Sequence, residues 1–496
     1  MGNEHMSPAS IEERVREYVA AERNEIRVPP LLTHRILHTV QLSEPAPRRP
    51  QLGPLPAAAA MAAILLLGLG IASIRMSQGP AGLVQGTWSS ASNMLIARSS
   101  HTATLLPNGK VLVVGGSHLV SAQASRPLAS AELYDPTSRK WSSAGSLSAP
   151  RWGHTATLLP NGKVLVAGGD QGDGITADSL SSVELYDPQT NTWSAAASLH
   201  TPRSSHSATL LPDGRVLVVG GFQSLSTGPT VSRTEFGTTL ASSELYDPAS
   251  DTWVAGPAMS TPRAKHVAVL LADHRVLLIG GTALSKAASA WRTAELYDPA
   301  SQSWSSTADM QYSRAFPSAS LLPDGRVLVV GDVGVNYRTA ELFDPTMGQW
   351  SPAPKPAVGR AEAAAAQLRD GNVLVAGGVG EQSAQVFEWR RNAWSSAGDM
   401  AMLRAGASAT VLANGEVLVA GGFGRLSAPW ASAEVYDPNG PHVVASPRST
   451  SADSPLGGIA PIVAAAALLL GLGFWYARRR KALLPGRGDL WIDSEV

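Results

Sequence analysis

The chain has 496 residues, and its 39 Lys and Arg balance 39 Asp and Glu, so the net charge at pH 7 is zero. That balance argues against nucleic acid as a main partner, because such proteins usually carry a strong basic excess. The absence of cysteine excludes disulfides, thiolate nucleophiles and Cys-based zinc or iron–sulfur sites.

Residues 1–54 form an N-terminal segment. SIEERVREYVAAERN (10–24) opens with a capping box, Ser10 and Glu13, and Ile11, Val15, Tyr18 and Val19 share one helical face. Pro29-Pro30 ends this short helix, a second is expected over 31–41, and a Pro-rich linker follows. The segment is expected either to dock a small cytoplasmic partner or to act as a solvated stalk. It is faintly similar to the juxtamembrane part of bacterial anti-sigma factors, without their zinc-binding cysteines.

Residues 57–74, AAAAMAAILLLGLGIASI, carry no charge. At 1.5 Å per residue they reach about 27 Å, close to the roughly 30 Å hydrocarbon core, and are expected to cross a membrane. A leader of this length would be long for a signal peptide. A second span is expected at 456–477, ending in Trp475 and Tyr476, after a Ser/Pro linker over 442–455. Arg48 and Arg49 precede the first span, and Arg478 to Lys481 begin the tail, 478–496. The positive-inside rule then places both termini in the cytoplasm and the middle of the chain outside it.

Between the spans, residues 85–441 repeat one sentence seven times. Each copy opens with an Arg: Arg98, Arg151, Arg203, Arg263, Arg314, Arg360 and Arg404. A small-apolar strand follows, then a turn such as Asn108-Gly109, whose residues accept positive φ and signal a hairpin. Next comes a run such as VLVV, too apolar to alternate and therefore expected to be buried on both faces. It ends in a Gly pair that admits close neighbours: Gly115-Gly116, Gly168-Gly169, Gly220-Gly221, Gly280-Gly281, Gly377-Gly378 and Gly421-Gly422, with Gly331-Asp332 in the fifth copy. After a variable loop comes E-x-Y-D-P and then a Trp: Trp141, Trp193, Trp253, Trp304, Trp350 and Trp394. Four short strands per roughly fifty residues is one propeller blade. The seventh copy lacks its Trp, whereas Trp88 precedes the first Arg, so residues 85–90 are expected to supply the last blade's outer strand and close the ring.

Gly doublet, spaced Tyr and spaced Trp together resemble the kelch repeat. That resemblance implies an all-β, seven-bladed β-propeller, here flanked by two transmembrane helices. It also extends to galactose oxidase, whose copper site needs a tyrosine cross-linked to cysteine. With no Cys that cross-link cannot form, so an oxidoreductase would need a non-standard metal site.

His101, His154, His206 and His266 recur at one repeat position on different blades, which favours packing over metal binding. The seven arginines are expected to pair within the scaffold with Glu132, Glu184, Glu244, Glu295, Glu341 and Glu434, the sixth copy having Gln385. Asp170, Asp173 and Asp178 do not match the spacing of an EF-hand loop. No nucleophile, acid–base pair, cofactor or metal site is expected. The loops after the Gly pairs emerge on one face and carry aromatic and Arg side chains suited to an interface. Phe222, Arg233, Phe236, Trp291, Arg292, Tyr337, Arg338, Arg425 and Trp430 are the candidate contacts for a protein or glycan outside the cytoplasm.

Overall fold

In the computed structural model, residues 83–444 are described, apart from 85, 122–123, 173–177, 225–236, 284–290, 332–337, 425–428 and 442. They form seven blades of four antiparallel strands, the sixth widened to six strands by two short terminal strands, together with two two-stranded loop hairpins. Blade one comprises Thr102–Leu105, Val111–Val114, Ser130–Asp135 and Lys140–Ser146, paired in that order from the axis outward. Blades two to six repeat it in chain order. The seven innermost strands neighbour one another in a closed cycle, the first touching the seventh. The chain is therefore a seven-bladed β-propeller.

The second strand of every blade explains the apolar runs. Val111–Val114, Val164–Ala167, Val216–Val219, Val276–Ile279, Val327–Val330, Val373–Ala376 and Val417–Ala420 are all fully buried. A blade has a neighbour on each side, so both faces of its sheet are core. Leu112 and Val114 pack toward blade two, whereas Val111 and Val113 pack toward blade seven. The core is thus seven inter-blade clusters.

Blade seven is assembled from both ends of the domain. Its inner three strands are Ser408–Val411, Val417–Ala420 and Ala433–Asp437, and the outermost is Thr87–Ser90, with Trp88 opposite Tyr436. The Trp88 ring lies 5.2 Å from that of Tyr436, and its Nε1 donates to the Ala397 carbonyl of blade six at 2.7 Å. The other six Trp residues pair in the same way with Tyr134, Tyr186, Tyr246, Tyr297, Phe343 and Phe387, at 4.9–5.2 Å. The repeat pattern does not announce a second junction. Leu83–Val84 runs parallel to the outer strand of blade six and antiparallel to Val443–Val444, so both ends of the domain meet there.

Among the described residues no helix is long and apolar enough to cross a membrane. The expected spans at 57–74 and 456–477, and the expected helices at 10–24 and 31–41, lie outside the described residues.

Candidate binding site

Each blade-opening Arg is held by a fixed set of acceptors. Arg98 Nη1 donates to the carbonyls of Gly115 at 2.8 Å and Ser130 at 3.0 Å, while Nη2 reaches Ser130 Oγ and Glu132 Oε1, the latter at 2.6 Å. Equivalent ion pairs join Arg151–Glu184, Arg203–Glu244, Arg263–Glu295, Arg314–Glu341 and Arg404–Glu434 at 2.7–2.9 Å. In blade six Arg360 bonds the Gly377 and Ser383 carbonyls and Ser383 Oγ, while Gln385 accepts the Ala357 amide instead. All seven arginines are buried. Burial pulls the Arg98 guanidinium's pKa down, and Glu132 draws it back up. The carboxylates also accept backbone N–H groups of the incoming loop, as Glu132 does from Leu95 and Ile96. These charges tie loop to blade and leave no charged rim.

The histidines stitch neighbouring blades. His154 Nε2 meets Thr102 Oγ1 at 3.0 Å, His206 meets Thr155, His266 meets Ser207, and His101 meets Ser408 across the ring closure. Burial pushes His101 and His154 down to about 3, with the nearby Arg98 and Arg151 adding repulsion, so these rings are neutral at physiological pH. The Gly pair makes room for them. A Cβ on Gly115 would stand 2.5 Å from the Arg151 carbonyl and 2.8 Å from His154 Cε1.

The residue two places after each Arg was not singled out by sequence reasoning. These are Ser100, Gly153, Ser205, Lys265, Phe316, Glu362 and Gly406, and every one adopts positive φ between 53° and 62°. They form a collar at the mouth of the central channel. Ser205 N donates to Gly153 O, Lys265 N to Ser205 O, Phe316 N to Lys265 O, Gly406 N to Glu362 O, and Ser100 N to Gly406 O, at 2.7–3.1 Å. The collar encloses a cavity of about 370 Å³. Its signal in the sequence is a departure from repetition: the second residue after the Arg is Ser, Gly, Ser and Gly in copies one, two, three and seven but Lys, Phe and Glu in blades four to six.

Those three residues are close together. Lys265 Nζ lies 4.4 Å from the Phe316 ring centroid and 5.6 Å from that of Phe222. Burial raises the Glu362 carboxyl's pKa, and the charge of Lys265 opposes the shift. Phe316 is 40% exposed although it is a large apolar side chain in a left-handed conformation. Bulky residues rarely tolerate that region, and such strain concentrates at functional positions.

The predicted loop contacts divide into separate groups. Second strands end, and third strands begin, on the side where innermost strands begin, so these loops flank the collar. Phe222 is buried beside Lys265. Trp291 and Trp430 occupy scaffold positions, because their amides donate to Gly281 O and Gly422 O as Leu128, Leu180 and Leu240 do to Gly116, Gly169 and Gly221. Trp430 Nε1 also donates to Leu403 O. Arg292 is exposed and paired with Asp309 at 3.0 Å, and Arg338 donates to the Ala357 carbonyl. Arg233, Phe236, Tyr337, Arg425 and Asp173 lie outside the described residues. Asp170 is buried and accepts the Gly172 and Asp178 amides, shaping its own loop. Among the described residues no three His, Cys, Asp or Glu side chains converge as metal ligands.

A closed ring of near-identical blades with a variable collar at one mouth of its channel defines a β-propeller scaffold. The sequence family described as the KLHDC2/KLHL20/DRC7 Kelch-repeats domain matches residues 84–281. Kelch-like protein 25 of Xenopus tropicalis is 32% identical over 231 residues, covering 46% of this chain and 35% of that protein. Beta-scruin of Limulus polyphemus is 27% identical over 223 residues, covering 44% and 23%. The chain therefore spans about a third or less of these curated relatives. A fungal alcohol oxidase of the AA5 family, solved with copper, superposes with a TM-score of 0.56 at 15% identity, over 71% of this chain and 76% of that one, which shows a shared fold. Over residues 84–281 the chain thus resembles kelch-repeat proteins, and its fold is a seven-bladed β-propeller.

Proposed function

We propose that this protein is a membrane-anchored binding module whose propeller lies outside the cytoplasm. Its channel-mouth face recognises a protein or glycan, and the N-terminal segment carries occupancy inward. The observation that carries binding is the collar. Of seven left-handed positions around one cavity, four carry Ser or Gly and three carry Lys265, Phe316 and Glu362. Support for the anchor comes from the two uncharged runs and the basic residues beside them. The matched kelch relatives bear no enzyme name, and the described side chains offer no catalytic pair, so binding is the reading pursued.

Topology is open to a direct test because the chain has no cysteine of its own. Thr137→Cys, on an exposed turn, and Ser494→Cys, in the tail, each give one reactive thiol. A membrane-impermeant maleimide applied to intact cells should label the first and spare the second. Labelling of the tail but not the turn would refute the orientation.

A further inference from the structure

The collar's chemistry narrows what it can hold, and this step rests on the binding role just proposed. We propose that the channel mouth binds the uncharged end of a glycan, with one sugar ring stacked on Phe316. Three observations lead there.

Charge comes first. Among the described residues lining the cavity, Lys265 is the only permanent cation and Glu362 the only acid. The histidines beneath are neutral, and the arginines are held inside the blades. Lys265 and Glu362 flank Phe316 from adjacent blades and cancel each other. An acidic ligand approaching the mouth meets Glu362, and a basic one meets Lys265. A charged ligand would therefore lose hydration without a net opposite charge in return, whereas a neutral one is not penalised.

Polarity comes second. A sugar ring is an apolar face of C–H groups edged by hydroxyls that both donate and accept. The mouth offers matching parts. Phe316 presents an exposed ring held in place by its strained backbone and by Lys265 above it. Around it stand an ammonium donor on Lys265, a carboxyl acceptor on Glu362, and hydroxyls of both kinds on Ser100 and Ser205. Trp152 adds a second half-buried aromatic on the opposite arc.

Size comes third. About 370 Å³ is near the lower end of ligand pockets, which run from roughly 300 to 1,000 Å³, a size suited to the terminus of a glycan.

The test uses the full-length protein in detergent micelles free of sugar headgroups. The probes are maltose, cellobiose, lactose and N,N′-diacetylchitobiose, set beside a uronic-acid disaccharide and tripeptides ending in Asp or Lys. Binding is followed by tryptophan fluorescence and by calorimetry. At least one neutral disaccharide should bind, and it should bind at least tenfold tighter than the charged saccharide. Phe316→Gly should weaken that binding at least tenfold. It should fold normally, because glycine removes the left-handed strain. Glu362→Gln combined with Lys265→Gln keeps neutrality but uncharges both partners and shortens the Lys265 side chain, and should also weaken binding. If a tripeptide binds and no saccharide does, the glycan assignment is overturned while the binding role stands. Phe316→Gly binding as tightly as the parent would overturn the stacking geometry. No binding by any probe at millimolar concentration overturns the assignment as well.

Discussion

Removing the Trp88 side chain should open the ring at its seam. Trp88 is half-buried in the junction between blades six and seven, packed on Tyr436 and bonded through Nε1 to Ala397 O at 2.7 Å. The hydrogen bond is worth about 1 kcal/mol. The tilted ring pair adds roughly 0.5–1.5 kcal/mol. Half of the 150–250 Å² that a Trp buries, at about 25 cal/mol per Å², contributes roughly 2–3 kcal/mol. Trp88→Ala should thus destabilise the propeller by about 4 kcal/mol, and Trp88→Phe, which keeps a ring, by about 1–2 kcal/mol. Urea unfolding followed by circular dichroism measures both. Hydrogen exchange supplies a local readout, because the outer strand pairs Thr87–Ser90 with Glu434–Asp437. Amides of Ala433–Asp437 should lose protection in Trp88→Ala while those of Ala294–Asp298 in blade four keep it. Equal protection in both blades, or a loss of stability below 1 kcal/mol, would refute closure through this strand.

Two further predictions concern the repeat itself. Gly115→Ala should cost well over 2 kcal/mol, because its Cβ would meet the Arg151 carbonyl at 2.5 Å in a left-handed backbone. Gly109→Ala, also left-handed but with nothing within 4 Å, should cost only about 1 kcal/mol, and comparable melting points for the two variants would sink the close-packing role of the doublet. Acid should destabilise the propeller through its histidines. His101 and His154 fall to about 3 in the fold, below the ordinary value of 6.5, so between these pH values the unfolded chain binds more protons. Stability is full above pH 6.5 and is lost as pH falls toward 3, by about 2 kcal/mol per histidine at pH 5. Melting at pH 7.5 and pH 5 should show this drop, and His154→Gln should shrink it; an unchanged drop in the variant would mean that other groups govern acid sensitivity.

Much of the scaffold could be read from the chain because its causes are local and recur. VLVV cannot alternate, so it must sit between two sheets, and it does in every blade. The missing seventh Trp and the early Trp88 together imply the seam that the structure shows. Arg-to-Glu pairing was legible because both partners recur at fixed repeat positions. What stayed hidden depends on geometry that spacing does not encode. Trp291 and Trp430 read as interface anchors, and nothing in their spacing showed that they also begin a scaffold contact. Their amides nevertheless occupy the place that leucine holds in three other blades. The pairing of Leu83–Val84 with Val443–Val444 was equally invisible, since two-residue strands leave no periodic trace.

The collar escaped notice for a different reason, and that reason bears on how repeat proteins acquire function. Its residues stand between an invariant-looking Arg and a frequent His, in a stretch that reads as scaffold. Position two after the Arg is left-handed in every blade, and at five of the seven junctions its carbonyl accepts the next blade's amide. Gly meets this demand without strain. Lys265, Phe316 and Glu362 meet it at a cost of roughly 1 kcal/mol or more each. Nothing in the ring's closure requires them, since Gly153 and Gly406 perform the same backbone task. A side chain that strains the fold, packs into no core and clusters with two others on adjacent blades fits the binding role proposed for the mouth of the channel. On the binding role proposed above, these three costly residues are the expected point of contact.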